Sequence, residues 1–135
     1  MADENILELG RMVHNIKDVE GTPVTNAFLG SCASGDEDLR VAARILKGRK
    51  VHPKVLFNIT PGSTDSMSRV DKEGVISTLL DAGCFVCAPG CGMCPGFYTP
   101  LAKNEVCITS STTNLPGGGK RELKDTFRNL SRSGY

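Results

Sequence analysis

Ala27-Phe28-Leu29-Gly30-Ser31-Cys32-Ala33-Ser34-Gly35-Asp36-Glu37-Asp38-Leu39 is the stretch on which the fold turns. Its first four residues read as a short buried strand that runs into a turn at Ser31-Cys32. Gly35 and Asp36 then open a helix whose apolar stripe is Leu39, Ala42, Ala43 and Leu46. Gly48 falls where a C-terminal cap belongs, among Lys47, Arg49 and Lys50, the charges a helix C-terminus prefers. The charge run Asp36-Glu37-Asp38-Leu39-Arg40 reads as an acidic helix start followed by a solvated face.

The same alternation continues outward. Val55-Leu56-Phe57-Asn58-Ile59 reads as a second strand, stopped by Thr60-Pro61-Gly62-Ser63. Helical spacing returns over residues 64–81 with an interruption near Gly74. Cys84-Phe85-Val86-Cys87 and Val106-Cys107-Ile108-Thr109 give a third and a fourth strand. Upstream, Ile6, Leu9, Met12, Val13 and Ile16 mark a helix over residues 4–18, and residues 121–130 suggest a polar amphipathic helix. Strand alternating with helix predicts an α/β fold: a three-layer α/β/α sandwich around a mostly parallel sheet. The expected organisation is an N-terminal helix and linker over residues 1–20, the α/β/α domain over 21–120 and a helical tail over 121–135.

Length and charge bound the function. The 135 residues suffice for one domain with a real core. A net charge of +1 argues against a nucleic-acid partner, and no apolar run approaches a membrane span. The acidic start Met1-Ala2-Asp3-Glu4-Asn5 lacks a signal-peptide core, so six cysteines are expected in a reducing compartment. The cytoplasm is the expected compartment, with the mitochondrial matrix left open if the chain is a fragment.

The cysteines carry the chemistry. Cys32 follows the first strand, and Cys91-Gly92-Met93-Cys94 follows the third; in a parallel sheet both loops emerge at the carboxyl edge, where such folds bind ligands. Three thiolates are one short of a closed tetrahedral site, and on a four-iron cluster they leave one iron open as a Lewis acid. Pro89-Gly90-Cys91-Gly92-Met93-Cys94-Pro95-Gly96 can bend tightly enough to bring backbone N–H groups to sulfur. Other accounts stand beside this one. Zinc could take Cys84, Cys87, Cys91 and Cys94, although three residues between the pairs is short for a zinc ribbon. The order C-x2-C-x3-C-x2-C-P differs from the ferredoxin run C-x2-C-x2-C-x3-C-P. Unligated core thiols are the plainest account. Cys84, Cys87 and Cys107 lie in apolar strand runs and read as structural. His14 and His52 read as surface residues, and Leu115-Pro116-Gly117-Gly118-Gly119-Lys120-Arg121 as a turn without phosphate-loop spacing.

From about Val19 to Gly118 the chain resembles the aconitase superfamily of hydro-lyases, in particular the third core domain of the isopropylmalate dehydratase large subunit and homoaconitase. The resemblance rests on Ala27-Phe28-Leu29-Gly30-Ser31-Cys32, Glu37-Asp38-Leu39-Arg40, residues 42–51, Thr60-Pro61-Gly62-Ser63 and Pro89-Gly90-Cys91-Gly92-Met93-Cys94, in that order. It implies a [4Fe-4S] cluster held by Cys32, Cys91 and Cys94. It also implies reversible dehydration and rehydration of a hydroxy di- or tricarboxylate, with other aconitase-type domains or a small swivelling subunit as partner. Two departures matter. Ala33-Ser34 stands where the family usually reads Thr-Asn, and Thr113 and Gly118 fall where it carries arginines for substrate carboxylates. Lys120 or Arg121 could supply a cation from a shifted loop. The catalytic groups are therefore unknown, and a lone chain of this length is expected to be incomplete as an enzyme. The competing expectation is a non-catalytic [4Fe-4S]- or metal-binding module, a truncated or degenerate relative of the family.

Overall fold

A computed structural model describes residues 17, 20–94, 98, 101–102 and 105–111. Strand β1, Asn26–Gly30, leads into helix α1, Asp36–Leu46, and then to β2, Leu56–Thr60. Helices α2, Thr64–Lys72, and α3, Val75–Asp81, precede β3, Phe85–Val86, and β4 is Cys107–Thr109. The sheet order is β3-β2-β1-β4, and all three ladders are parallel. The α/β expectation with a parallel sheet is met. The helices expected over residues 4–18 and 121–130 lie outside the described residues.

Local chemistry explains the helix boundaries. Gly35 donates its N–H to Asp38 Oδ2 at 2.9 Å, half of a capping box, since glycine has no side chain to return the bond. Asp36, Glu37 and Asp38 fill the first turn of α1, where the exposed N–H groups favour negative charge. Ser63 caps α2 by accepting the Ser66 N–H at 3.1 Å. The break between α2 and α3 falls at Gly74, which is left-handed at φ +76°. The Thr78 hydroxyl satisfies the Gly74 carbonyl at 2.9 Å.

The two faces of the sheet differ in chemistry. Alternation puts Leu29, Phe57, Ile59 and Val86 on one face, against Leu39, Ala43, Val70, Val75, Ile76 and Leu79 of the helices. Leu39, Ile59, Val70 and Leu79 are wholly buried, so this seam holds the main core. On the opposite face Phe28 and Cys107 pack with Met93 and Leu101. That face also carries buried polar groups: Asn26, Asn58, Thr60 and Thr109. Ion pairs tie α1 to α2, with Arg40 on Glu73 at 2.7 Å and Arg69 on Asp36 at 2.6 Å.

Strand ends differ slightly from expectation. β2 ends at Thr60 rather than Ile59, because Thr60 still pairs with Gly30 before Pro61 withdraws its donor. β3 is confined to Phe85–Val86, its two cysteines flanking the ladder. Even so, the Cys87 N–H reaches the Ile59 carbonyl at 2.8 Å.

Candidate functional site

Parallel strands bring the ends of β1, β2 and β3 to one edge of the sheet. The chain order reverses there too, since β4 returns to the far side of β1, and ligands favour such a switch point. Cys32 lies two residues past β1, in a turn whose Ser34 N–H donates to the Ser31 carbonyl at 3.0 Å. Ser31 is held at φ +76° although it has a side chain, and it is almost fully buried. A buried non-glycine residue in the left-handed region costs on the order of 1–3 kcal/mol, and the surrounding contacts must overdetermine it. The turn therefore presents Cys32 in a fixed place.

Residues 60–62 knit this turn to the second cysteine loop. The Ser31 N–H donates to the Thr60 carbonyl at 3.2 Å, and the Gly90 N–H donates to the Pro61 carbonyl at 3.0 Å. A Cβ on Gly62 would stand 2.8 Å from the Ser34 carbonyl oxygen and 3.1 Å from that of Ser31, so only glycine lets the Cys32 turn approach. A Cβ on Gly92 would collide first with Thr60 Oγ1, and would stand 2.8 Å from Thr60 Cβ and 3.0 Å from its Cγ2. The Cys91-Gly92-Met93-Cys94 turn thus rests directly on the Thr60 side chain, closed by the Cys94 N–H to the Cys91 carbonyl at 3.2 Å.

The six cysteines divide by accessibility. Cys32 and Cys91 are exposed and Cys94 is half-buried, whereas Cys84, Cys87 and Cys107 are buried. Burial pushes the Cys84 and Cys87 thiols up, the nearby Thr60 hydroxyl pulling Cys87 the other way without a well-formed hydrogen bond. Cys107 is pushed up to about 12 by burial and, secondarily, by the Glu105 carboxylate. Thiolates are the ligands and nucleophiles, so these three are inert near neutral pH. Among the described residues, no three Cys, His, Asp or Glu side chains are gathered as a single metal ion requires.

Other expected positions are placed as follows. His52 is exposed, its Nδ1 accepting the Lys54 N–H at 3.2 Å. Ser34, where the resemblance would put asparagine, turns its hydroxyl toward Asp38 Oδ2 at 3.4 Å and so serves the helix start. His14, Thr113, Gly118, Lys120 and Arg121 lie outside the described residues. Sequence reading missed the two polar residues of β2. Asn58 and Thr60 are fully buried, and the Asn58 Nδ2 and Oδ1 and the Thr60 Oγ1 have no hydrogen-bond partner. The available signal was asparagine in a central parallel strand, where apolar residues normally fill both faces.

Comparison with known proteins agrees with this architecture. Residues 3–127 match the Aconitase family (aconitate hydratase). The methanogen homoaconitase large subunit of Methanocaldococcus jannaschii is 42% identical over 107 residues, covering 78% of this chain and 26% of that protein. The homoaconitase large subunit of Thermus thermophilus is 41% identical over the same shares. The 3-isopropylmalate dehydratase large subunit of Wolinella succinogenes is 45% identical over 96 residues, 70% of this chain and 23% of that protein. The chain spans about a quarter of the length of these relatives. On the match over residues 3–127, and on a parallel sheet whose edge carries two cysteine turns, the chain belongs to the aconitase family.

Proposed function

We propose that this chain is the cluster-binding domain of an iron–sulfur hydro-lyase, holding a [4Fe-4S] cluster through Cys32, Cys91 and Cys94. One observation carries the reading: the thiols on the two turns at the sheet edge are the accessible ones, and the other three are buried. The donor set fits the group. Thiolates are its usual ligands, and a cubane offers each its own iron, so the sulfurs need not converge as around one ion. Backbone bonds through Thr60 and Pro61 hold both turns to the same strand end. A mononuclear zinc site using Cys84 and Cys87 fits poorly, because both thiols are buried, Cys84 within the helix–sheet core.

When bound, such a cluster supplies a Lewis acid at the iron without a thiolate, suited to the hydroxyl and carboxylate of a hydroxy di- or tricarboxylate. The residues of this chain hold the cluster and fix its place at the switch point of the sheet. The reaction is reversible dehydration and rehydration, and the base that takes the α-proton comes from another domain. Relatives named as large subunits support a partner bearing the remaining machinery, a small swivelling subunit or further aconitase-type domains. Anaerobic reconstitution with iron and sulfide tests the assignment. Wild type and Cys84→Ala should each bind four irons per chain, and Cys91→Ala should lose them; the reverse pattern refutes the ligand set.

A second reading, a non-catalytic cluster module, is favoured by Thr113 and Gly118, neutral residues where carboxylate-binding arginines are expected. Adding citrate, isopropylmalate or homocitrate to the reconstituted chain, alone, with a small subunit, and with a small subunit plus the remaining aconitase-type domains, separates the two. Unsaturated acid formed in any combination supports the hydro-lyase, and none in any combination supports the module.

A further inference from the structure

Thr60 stands between the two cysteine turns, and its hydroxyl is an anomaly. Its carbonyl takes the N–H of Ser31, the neighbour of Cys32, and its side chain underlies Gly92, between Cys91 and Cys94. The residue is wholly buried, yet Oγ1 has no partner. An unmade hydrogen bond at a buried hydroxyl costs about 1–3 kcal/mol, and nearly all such groups in folded proteins are paired. Valine has the same shape without the penalty. The Cys87 thiol lies close enough to feel the hydroxyl, but a neutral thiol is a weak acceptor. Asn58 is also unpartnered, but it lies two residues deeper on the same face of β2, below the level of Gly92.

Resting on the cluster reading above, we propose that Thr60 is a positioning residue for the bound cluster: its hydroxyl donates to a sulfur held between the two cysteine turns, and its side chain sets their separation. A hydroxyl beside anionic sulfur makes a charge-assisted bond, stronger than a neutral one. Hydrogen bonds to the sulfurs are among the factors that set cluster potentials, and outer partners orient ligands. Such a bond would give Oγ1 the partner it lacks within the chain.

The test compares wild type, Thr60→Val and Thr60→Ser after anaerobic reconstitution, reading iron content, reduction potential and the rate of bleaching in air. Thr60→Val should melt no lower than wild type before reconstitution, since it removes an unpaired group. Once loaded, its potential should be more negative, for want of a donor that stabilises the reduced cluster, and it should bleach several-fold faster. Thr60→Ser should restore both. A Thr60→Val protein that folds but binds no iron also supports the inference, provided Thr60→Ser binds it. Wild-type potential and bleaching in Thr60→Val, or a serine variant that behaves like valine, overturns it. If Thr60→Val does not fold, Thr60→Ala reads the same shift. Failure of wild type to assemble any cluster refutes instead the cluster reading on which this one depends.

Discussion

Gly92→Ala probes the packing of the second cysteine turn on β2. The backbone there is left-handed at φ +58°, and the added methyl would collide first with Thr60 Oγ1, then with Thr60 Cβ at 2.8 Å and Cγ2 at 3.0 Å. The left-handed backbone costs an alanine about 1–2 kcal/mol. Forcing a methyl into occupied space costs about 1–3 kcal/mol more, because Thr60 is fixed in the central ladder and cannot retreat. Gly48 separates the two contributions. Its φ is +73° and nothing lies within 4 Å of the position a Cβ would take, so Gly48→Ala bears only the backbone cost. Urea denaturation should therefore find Gly92→Ala less stable than Gly48→Ala by about 1–3 kcal/mol. Shortening Thr60 to alanine removes its Oγ1 and Cγ2 and leaves only the Cβ contact, so it should relieve part of the clash, giving a favourable coupling of about 0.5–3 kcal/mol in the double mutant. Equal losses in the two glycine variants, or strict additivity with Thr60→Ala, would refute this packing.

Other outcomes follow from the same physics. The Asp36 carboxyl is held down at about 2, from its ordinary 3.8, first by the hydrogen bonds of Arg69, then by the Ser66 hydroxyl. A depressed carboxyl stabilises above its unfolded pKa and loses that effect as pH falls through the folded one. Asp36→Asn should thus lower the melting temperature at pH 7, the gap to wild type closing between pH 3.8 and about 2 in a pH series of melts. A gap that widens on acidification would contradict the ion pair. Leu79→Ala, in the seam between helices and sheet, should cost about 2–5 kcal/mol in chemical denaturation. Ile45→Ala, with its side chain 58% exposed, should change stability by no more than about 0.5 kcal/mol.

What the sequence revealed and concealed follows from the range of each interaction. The strand, turn and helix from Asn26 to Leu46 were legible because their signals are local: an apolar run, a glycine, three acids in a first turn, a glycine past the end. The burial of Cys84, Cys87 and Cys107 was legible for the same reason, since they sit in or beside short apolar strand runs. The one-residue shift of β2, from the expected 55–59 to Leu56–Thr60, was not, because Thr60 looks like the start of a turn until Gly30 pairs with it. The unpaired hydroxyl beneath Gly92 was invisible, because it depends on residues about 30 apart in sequence meeting at one strand end, as parallel pairing dictates. Asn58 gave a signal of its own, a polar residue in a central strand, whose meaning only its burial disclosed.

Differential alkylation before and after anaerobic reconstitution tests the ligand assignment most directly, with each cysteine followed by peptide mass spectrometry. In the cluster-free chain Cys32 and Cys91 should label quickly, Cys94 more slowly, and Cys84, Cys87 and Cys107 hardly at all. Reconstitution should protect Cys32, Cys91 and Cys94 together, in proportion to iron bound. Iron uptake that leaves Cys32 as reactive as before would contradict the account.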